Sequence, residues 1–366
     1  MAKTKIEFVC RECGSSHHQW AGQCLDCKEW NTLEEVVISQ ATSSKPESLK
    51  DLPASKVQNL SEIKSQNKNR LSTGLTELDR TLGGGLVDGS VVLIGGDPGI
   101  GKSTLILQAL AAINASSTTL YVSGEESAEQ VSERAIRLGI KEDILFIGET
   151  HLEKIIKISK DLRPKVIVID SIQTMVTDLS NSAPGSVTQV RDCAAQLTQY
   201  AKQTNTILLM IGHVTKGGAL AGPRILEHMV DAVLYFEGDA GGRYRIIRAV
   251  KNRFGAVNEI SVFAMGEKGL QQVSNPSSIF LSNQENPSSG SMVMVTREAT
   301  RPLLVEIQAL VDQANGTPKR VSVGLDQNRL SLQLAILHKH SGIATFDQDV
   351  FINVVGGIKV SETASD

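Results

Sequence analysis

Aromatic residues make up only 4% of this chain. Proteins that hold single strands by base stacking need several exposed rings, so this scarcity argues against a wide stacking platform. Positive charge is not in excess either: 37 Lys and Arg stand against 40 Asp and Glu, for a formal net charge of −3. A globally basic nucleic-acid binder is excluded, and any grip on phosphates has to come from local basic patches. No apolar run approaches the roughly 18 residues that a membrane span needs. The start, Met1 to Ile6, lacks the long apolar core of a secretory signal. No membrane partner and a cytoplasmic location are therefore expected. Internal repeats are absent. The 366 residues leave room for two or three domains, and 41% hydrophobic content is enough for at least one large core.

Cysteine is scarce, five in all, but four of them are concentrated as Cys10-x2-Cys13 and Cys24-x2-Cys27. Two such pairs point to one structural zinc ion held by four thiolates. So short a segment cannot bury a useful core, so the metal has to supply its folding free energy. Two disulfides are the rival reading, disfavoured in a reducing compartment. His17 and His18 could replace a thiolate, but with four cysteines closing the site they read first as solvent-facing loop residues; Trp20 and Trp30 read as packing over the metal core, with a DNA or partner contact as the alternative. Cys193 falls in a helical pattern and reads as buried and inert.

The strongest local signal is Gly95-Gly96-Asp97-Pro98-Gly99-Ile100-Gly101-Lys102-Ser103-Thr104. It fills G-x-x-x-x-G-K-[ST] without a gap, after the apolar run Val91 to Ile94 and before the helical pattern Leu105 to Leu110. Strand, glycine-rich turn and helix together make a phosphate loop: successive backbone N–H groups converge on a polyphosphate at a helix N-terminus. ATP is the expected ligand, with Lys102 on the β/γ-phosphates and the Ser103 hydroxyl on Mg2+. Beyond the loop, near-continuous Val/Ile/Leu runs at Leu120–Ser123, Val166–Asp170 and Thr206–Gly212 alternate with helical patterns. They predict buried, mostly parallel strands covered on both faces. From Ala232 the pattern changes to a hairpin around Gly238–Gly242, and after a polar loop at 275–290 come two strands, a helix and a last strand.

Asp170, at the end of an apolar strand, is expected to hold the Mg2+ shell. Glu125 is the candidate base that polarises the attacking water, and Glu126 is a second candidate for that role. Helix N-terminal charge placement is the competing reading for both acids. His213 sits at the end of a strand and reads either as a γ-phosphate sensor or as a capping or core histidine. Lys251-Asn252-Arg253-Phe254-Gly255 follows Arg243, Arg245 and Arg248 in the densest basic run of the chain. Three readings stay open for it: DNA phosphates, the nucleotide of a neighbouring subunit, or a solvated strand edge.

Five segments together make the chain resemble the bacterial RadA/Sms DNA-repair family over nearly its whole length. They are Trp20-Ala21-Gly22-Gln23-Cys24 beside the four cysteines, the phosphate loop, Ser123-Gly124-Glu125-Glu126-Ser127, the stretch Gly222 to Asp231, and Lys251 to Gly255. The resemblance implies an α/β fold: a RecA-like P-loop ATPase core, an N-terminal four-cysteine zinc element, and a truncated α+β Lon-protease-like C-terminal domain. The implied boundaries are 1–38 for the zinc finger, 39–70 and 275–290 for linkers, 71–274 for the ATPase domain and 291–366 for the Lon-like part. It implies DNA-stimulated ATP hydrolysis and branch migration of recombination intermediates in double-strand break repair. It also implies a homo-hexameric ring on single-stranded and branched DNA, and a recombinase filament of the RecA type as partner. Under it, Lys251 to Gly255 become DNA-binding or trans-acting, and the loops 177–187 and 213–224 face the channel. A rough register puts Ala364 where a Lon-type nucleophile would stand, and no peptidase activity is expected. A second class of function stays open: a nucleotide-gated DNA-binding scaffold or regulator that does not translocate.

Overall fold

The computed structural model describes residues 5–10, 16–26, 28–38, 70–180, 182–213, 224–238, 243–281, 289–298, 300–357 and 360. Cys13, Cys27, most of the 39–70 segment, the loop after His213, Gly222, Pro223 and Ala364 lie outside the described residues. At the N-terminus β1 (Lys5–Cys10), β2 (Ser16–His17) and β3 (Leu33–Ile38) form an antiparallel sheet in the order β2-β1-β3. Its small core is Cys10, Cys24 and Leu33, with Phe8 and Ala21 against it. Trp20 and Trp30 do not pack over it as expected: they are 61% and 67% exposed. The two cysteines and Leu33 already occupy the space, and the indoles lie outside it beside Gly22.

The chain then runs through β4 (Arg70–Leu71), α1 (Thr76–Thr81), β5 (Leu86–Val87), β6 (Val91–Gly96) and α2 (Lys102–Asn114). β7 (Thr119–Ser123), α3 (Ala128–Arg137), β8 (Leu145–Gly148), α4 (Leu152–Leu162) and β9 (Val166–Asp170) follow. Next come α5 (Val187–Thr204), β10 (Ile207–His213), α6 (Arg224–Met229), β11 (Ala232–Glu237), β12 (Tyr244–Asn252), β13 (Ile260–Gly266) and β14 (Gly269–Gln272). One nine-stranded sheet has the order β14-β13-β12-β11-β6-β10-β9-β7-β8. Strands β11 to β8 in that order are parallel; β12, β13 and β14 extend the sheet antiparallel, the first of them by the expected hairpin.

Period-2 alternation divides the strand residues between two cores. Val92, Ile94, Val166, Val168 and Leu209 pack with Leu78, Leu105 and Leu110 of α1 and α2. Val91, Leu93, Ile167, Ile169 and Leu208 pack with Leu152, Ile155, Val190 and Leu197 of α4 and α5. Both faces are covered, which is why these strands read as unbroken apolar runs. Truncating a fully buried residue here, such as Leu93 at 0% exposure, costs about 2–5 kcal/mol. The parallel register brings the strand ends level: His213 pairs with Gly96, and Ser123 with Asp170. The C-terminal edge of the sheet is where ligands bind in such folds.

The last part is a four-stranded sheet in the order β15-β16-β18-β17: β15 (Ser291–Glu298), β16 (Arg301–Gln313), β17 (Arg320–Val323) and β18 (Gln348–Val354), with α7 (Gln327–Ser341) between the last two. β17 was not expected, because four residues alternating Arg-Val-Ser-Val give too short a pattern; it pairs parallel with β18. The 275–290 segment is not polar loop throughout. It holds a 3₁₀ turn, Pro276–Ile279, and Phe280 is buried with Ile260, Leu303, Val305 and Val354. Arg301 of β16 meets Glu77 of α1 at 2.6 Å, and Arg80 meets Glu259 at 2.6 Å.

Candidate nucleotide site and zinc ribbon

β6 delivers the chain to Gly96, where it leaves the sheet. Gly96, Gly99 and Gly101 have φ of +151°, +75° and +114°. A Cβ on Gly96 would lie 2.8 Å from Phe236, and one on Gly101 2.7 Å from Met265. The loop is thus pressed against Phe236 and Met265 at positions without side chains. Gly101 is the N-cap of α2, and no side-chain cap bonds the first amides of that helix. A triphosphate fits such a cradle, since amides and helix dipole both favour negative charge.

Lys102 is 4% exposed. Its Nζ donates to the carbonyls of Gly96 and Asp97, both at 2.8 Å, and lies 3.4 Å from Nδ1 of His213. Burial lowers its pKa, and the nearby carboxylates of Asp170, Glu125 and Asp97 oppose that shift. Asp170 ends β9 at 4% exposure, and burial raises its pKa. The hydroxyl of Tyr121, from the adjacent β7, donates to Asp170 Oδ2, and it and the nearby Ser103 hydroxyl oppose the upward shift of this carboxyl. A hydroxyl and a carboxylate side by side are hard oxygen donors, the set Mg2+ takes beside phosphates.

Glu125 stands just after β7. It accepts from the Ser171 hydroxyl and faces Nε2 of His213 at 2.9 Å and 3.2 Å. The His213 bond is the main influence holding its pKa below the usual range. Glu126 is differently placed. Arg134 of α3 grips it through both guanidinium nitrogens, at 2.6 Å and 2.5 Å, so it is committed to an ion pair and does not share the position of Glu125. Neither acid caps α3, whose N-cap is Ser127, reciprocated by Gln130.

The basic strand dissolves into separate roles. Arg245 is 2% exposed and donates from Nε to the carbonyl of Ile100 in the phosphate loop at 2.9 Å. Arg248 pairs with Glu237 at 2.7 Å, and Arg243 lies over the ring of Tyr244. Among the described residues these three arginines thus meet three different partners. Alternation was the available signal: Arg245, Ile247 and Ala249 share the buried face of β12.

Lys251 to Gly255 lie at the far edge of the sheet. Asn252 pairs with Ala232, and Ala232 with Val92 near the start of β6. Four residues of strand, about 13 Å, separate that level from Gly96. Asn252 is 8% exposed, donates to the Thr81 carbonyl and accepts from the Phe254 amide. Gly255 meets Gly83: a Cβ on Gly255 would lie 2.7 Å from the Gly83 Cα. Arg70 donates to the Phe254 carbonyl at 2.7 Å. The backbone and Asn252 thus form a clasp on the turn after α1. Lys251 Nζ donates to the Glu227 carbonyl at 2.6 Å, and the Arg253 side chain, 61% exposed, reaches the buried Asp231 at 3.3 Å.

In the ribbon, Cys10 and Cys24 are each 1% exposed. The Cys24 Sγ lies 3.5 Å from Nε2 of His17, and donor atoms of His17, Cys24 and Asp26 lie within 4.8 Å of one another. His18 is exposed as expected, but His17 is not: its side chain is 13% exposed, because pairing with Phe8 sets it against the second knuckle. Two buried thiols on adjacent knuckles are the soft donors zinc prefers.

A model of the AAA domain matches residues 58–219, and a rubredoxin metal binding domain model matches residues 8–35. The chain is 57% identical to the DNA repair protein RadA of Pseudomonas aeruginosa, over all of this chain and 81% of that protein. It belongs to the RadA family. It is 53% identical to the RadA of Escherichia coli and 47% identical to that of Bacillus subtilis, each over all of this chain and 81% of the relative. This member of the family carries an ATPase domain and a zinc ribbon. Sequence reasoning missed Tyr121, Ser171, the buried role of Arg245 and the Arg134 partner of Glu126. Tyr121 and Ser171 gave no signal, since their partners come from other strands.

Proposed function

We propose that this chain hydrolyses ATP to drive the movement of DNA strands during recombinational repair. The observation that carries the reading is the convergence of Lys102, Ser103, Asp170 and Glu125 at one sheet edge around the amide cradle. Lys102 would grip the β- and γ-phosphates. Ser103 and Asp170 would hold Mg2+, which would supply positive charge against the phosphoryl oxygens. Glu125 orients the attacking water and takes its proton. Arg245 supports the loop from behind.

Lys251 and Arg253 stand at the opposite sheet edge from their own phosphate loop, so they do not serve their own nucleotide. A head-to-tail ring would bring that edge to the loop of the next subunit, and six such contacts close a hexamer. A cation supplied in this way is worth about 10³–10⁵ in turnover. DNA would pass through the ring, touched by the segments that follow β9 and β10. Cytoplasmic location, the RecA-type partner and the Lon-like assignment of the C-terminal sheet belong to the same reading. Among the described residues no helix is long and apolar enough to cross a membrane.

The test is ATP turnover with and without single-stranded DNA, run beside a branch-migration assay on a synthetic junction. Turnover that rises with DNA, and junctions resolved only with hydrolysable ATP, support the reading. Stimulated turnover with immobile junctions indicates a nucleotide-gated scaffold instead.

A further inference from the structure

Among the described residues, His213 is the one side chain seen to touch both the ammonium of the phosphate loop and the candidate base. Nδ1 lies 3.4 Å from Lys102 Nζ, and Nε2 lies 2.9 Å from Glu125 Oε1. These two contacts fix the tautomer. An ammonium group only donates, so Nδ1 has to present its lone pair to Lys102. A carboxylate only accepts, so Nε2 has to carry the hydrogen. Both ends demand the same neutral imidazole. Its backbone is steadied as well: Gln173 donates to the His213 carbonyl at 3.3 Å.

We propose that His213 is a positioning residue that aims the Glu125 carboxylate relative to Lys102, rather than a contact to the γ-phosphate. The proposal rests on the reading of Glu125 as the base. With the ring in place, Glu125 is held from two directions, by Ser171 at the end of β9 and by His213 at the end of β10. Without it, one anchor remains, and the carboxylate swings about that single bond. The cost falls on the orientation of the attacking water. The grip on the phosphates, supplied by amides and Lys102, is spared.

A primary amide offers the same two faces as the neutral imidazole: an N–H donor for Glu125 and an oxygen acceptor for Lys102. Glutamine is therefore the substitute that preserves the link, and alanine the one that removes it. The experiment measures turnover and, separately, equilibrium affinity for a fluorescent ATP analogue in His213→Ala, His213→Gln, Ser171→Ala and Glu125→Gln. For His213→Ala the expected result is a fall in kcat of at least about tenfold, with affinity within about threefold of wild type. His213→Gln should recover most of the lost rate, and Ser171→Ala should lose a smaller part. Weakened ATP affinity with kcat retained in His213→Ala overturns the proposal in favour of a γ-phosphate contact. A lowered melting temperature with no rescue by His213→Gln overturns it in favour of a structural histidine. If Glu125→Gln keeps wild-type turnover, the base reading itself fails, and the proposal with it. If Glu125→Gln is inactive while His213→Ala is fully active, only the positioning role fails.

Discussion

Replacing Tyr121 by phenylalanine removes one oxygen atom from the interior and leaves everything else in place. The ring is 1% exposed and stacks on Phe146 with centroids 6.3 Å apart, and Tyr121→Phe keeps that contact. What disappears is the donor to Asp170, whose carboxyl is already pushed up by burial. A hydrogen bond to a charged group is worth about 1.5–3 kcal/mol. A loss of that order is expected where Asp170 is ionised, and each kcal/mol lowers the melting temperature by about 2–4 °C in a domain of this size. The sign with pH follows from which form loses the bond. The variant raises the Asp170 pKa further, so its deficit is full above the folded pKa and fades as pH falls through it. The same carboxylate is assigned to Mg2+, so half-saturation of turnover should need more Mg2+ in the variant. Melting curves from neutral to acidic pH and an Mg2+ titration of ATP turnover read both effects. Identical melting and an identical Mg2+ response would refute the assigned role of the hydroxyl.

Three further outcomes follow from other parts of the structure. Arg245→Met leaves the Ile100 carbonyl without its buried donor, so ATP affinity measured by calorimetry should fall several-fold even though Arg245 never meets the nucleotide. Cys193 is 0% exposed and its thiol is pushed up to about 12 by burial, so a thiol reagent at neutral pH should leave it unmodified until the protein is unfolded. Chelating zinc should unfold the ribbon and release Cys10 and Cys24 to the same reagent, while the melting temperature of the ATPase core stays unchanged.

Much of this molecule is legible in its sequence where one residue type does one physical job. The run Val91 to Ile94 before the glycine loop can only be a buried strand feeding a helix, and it is one. Asp170 at the end of Val166–Ile169 and Glu125 after Ser123 are legible as candidates because both follow apolar strands, and the register sets Ser123 beside Asp170. What stayed hidden depends on pairings across distant strands. Arg245 looked like surface charge because it sits in a basic run, yet alternation puts it on the face that packs behind the phosphate loop. Tyr121 lies in an apolar strand run, and only the pairing of β7 with β9 brings its hydroxyl to Asp170. The stretch Lys251 to Gly255 reads as one motif, but the structure divides it. Asn252 and Gly255 clasp the turn at Gly83, and Lys251 and Arg253 occupy the rim. His17 was misjudged because four nearby cysteines already seemed to complete the ribbon.

The most direct test of the nucleotide site is ATP binding and turnover in Lys102→Ala. The ammonium is the only cation that donates to the Gly96 and Asp97 carbonyls among the described residues, and alanine removes it while α2 keeps a good helix former at its first position. The expected result is a protein that melts near the wild-type temperature, binds ATP–Mg2+ far more weakly in calorimetry and shows no turnover with or without DNA. Wild-type turnover in a folded Lys102→Ala protein would contradict the assignment of this loop as the site of hydrolysis.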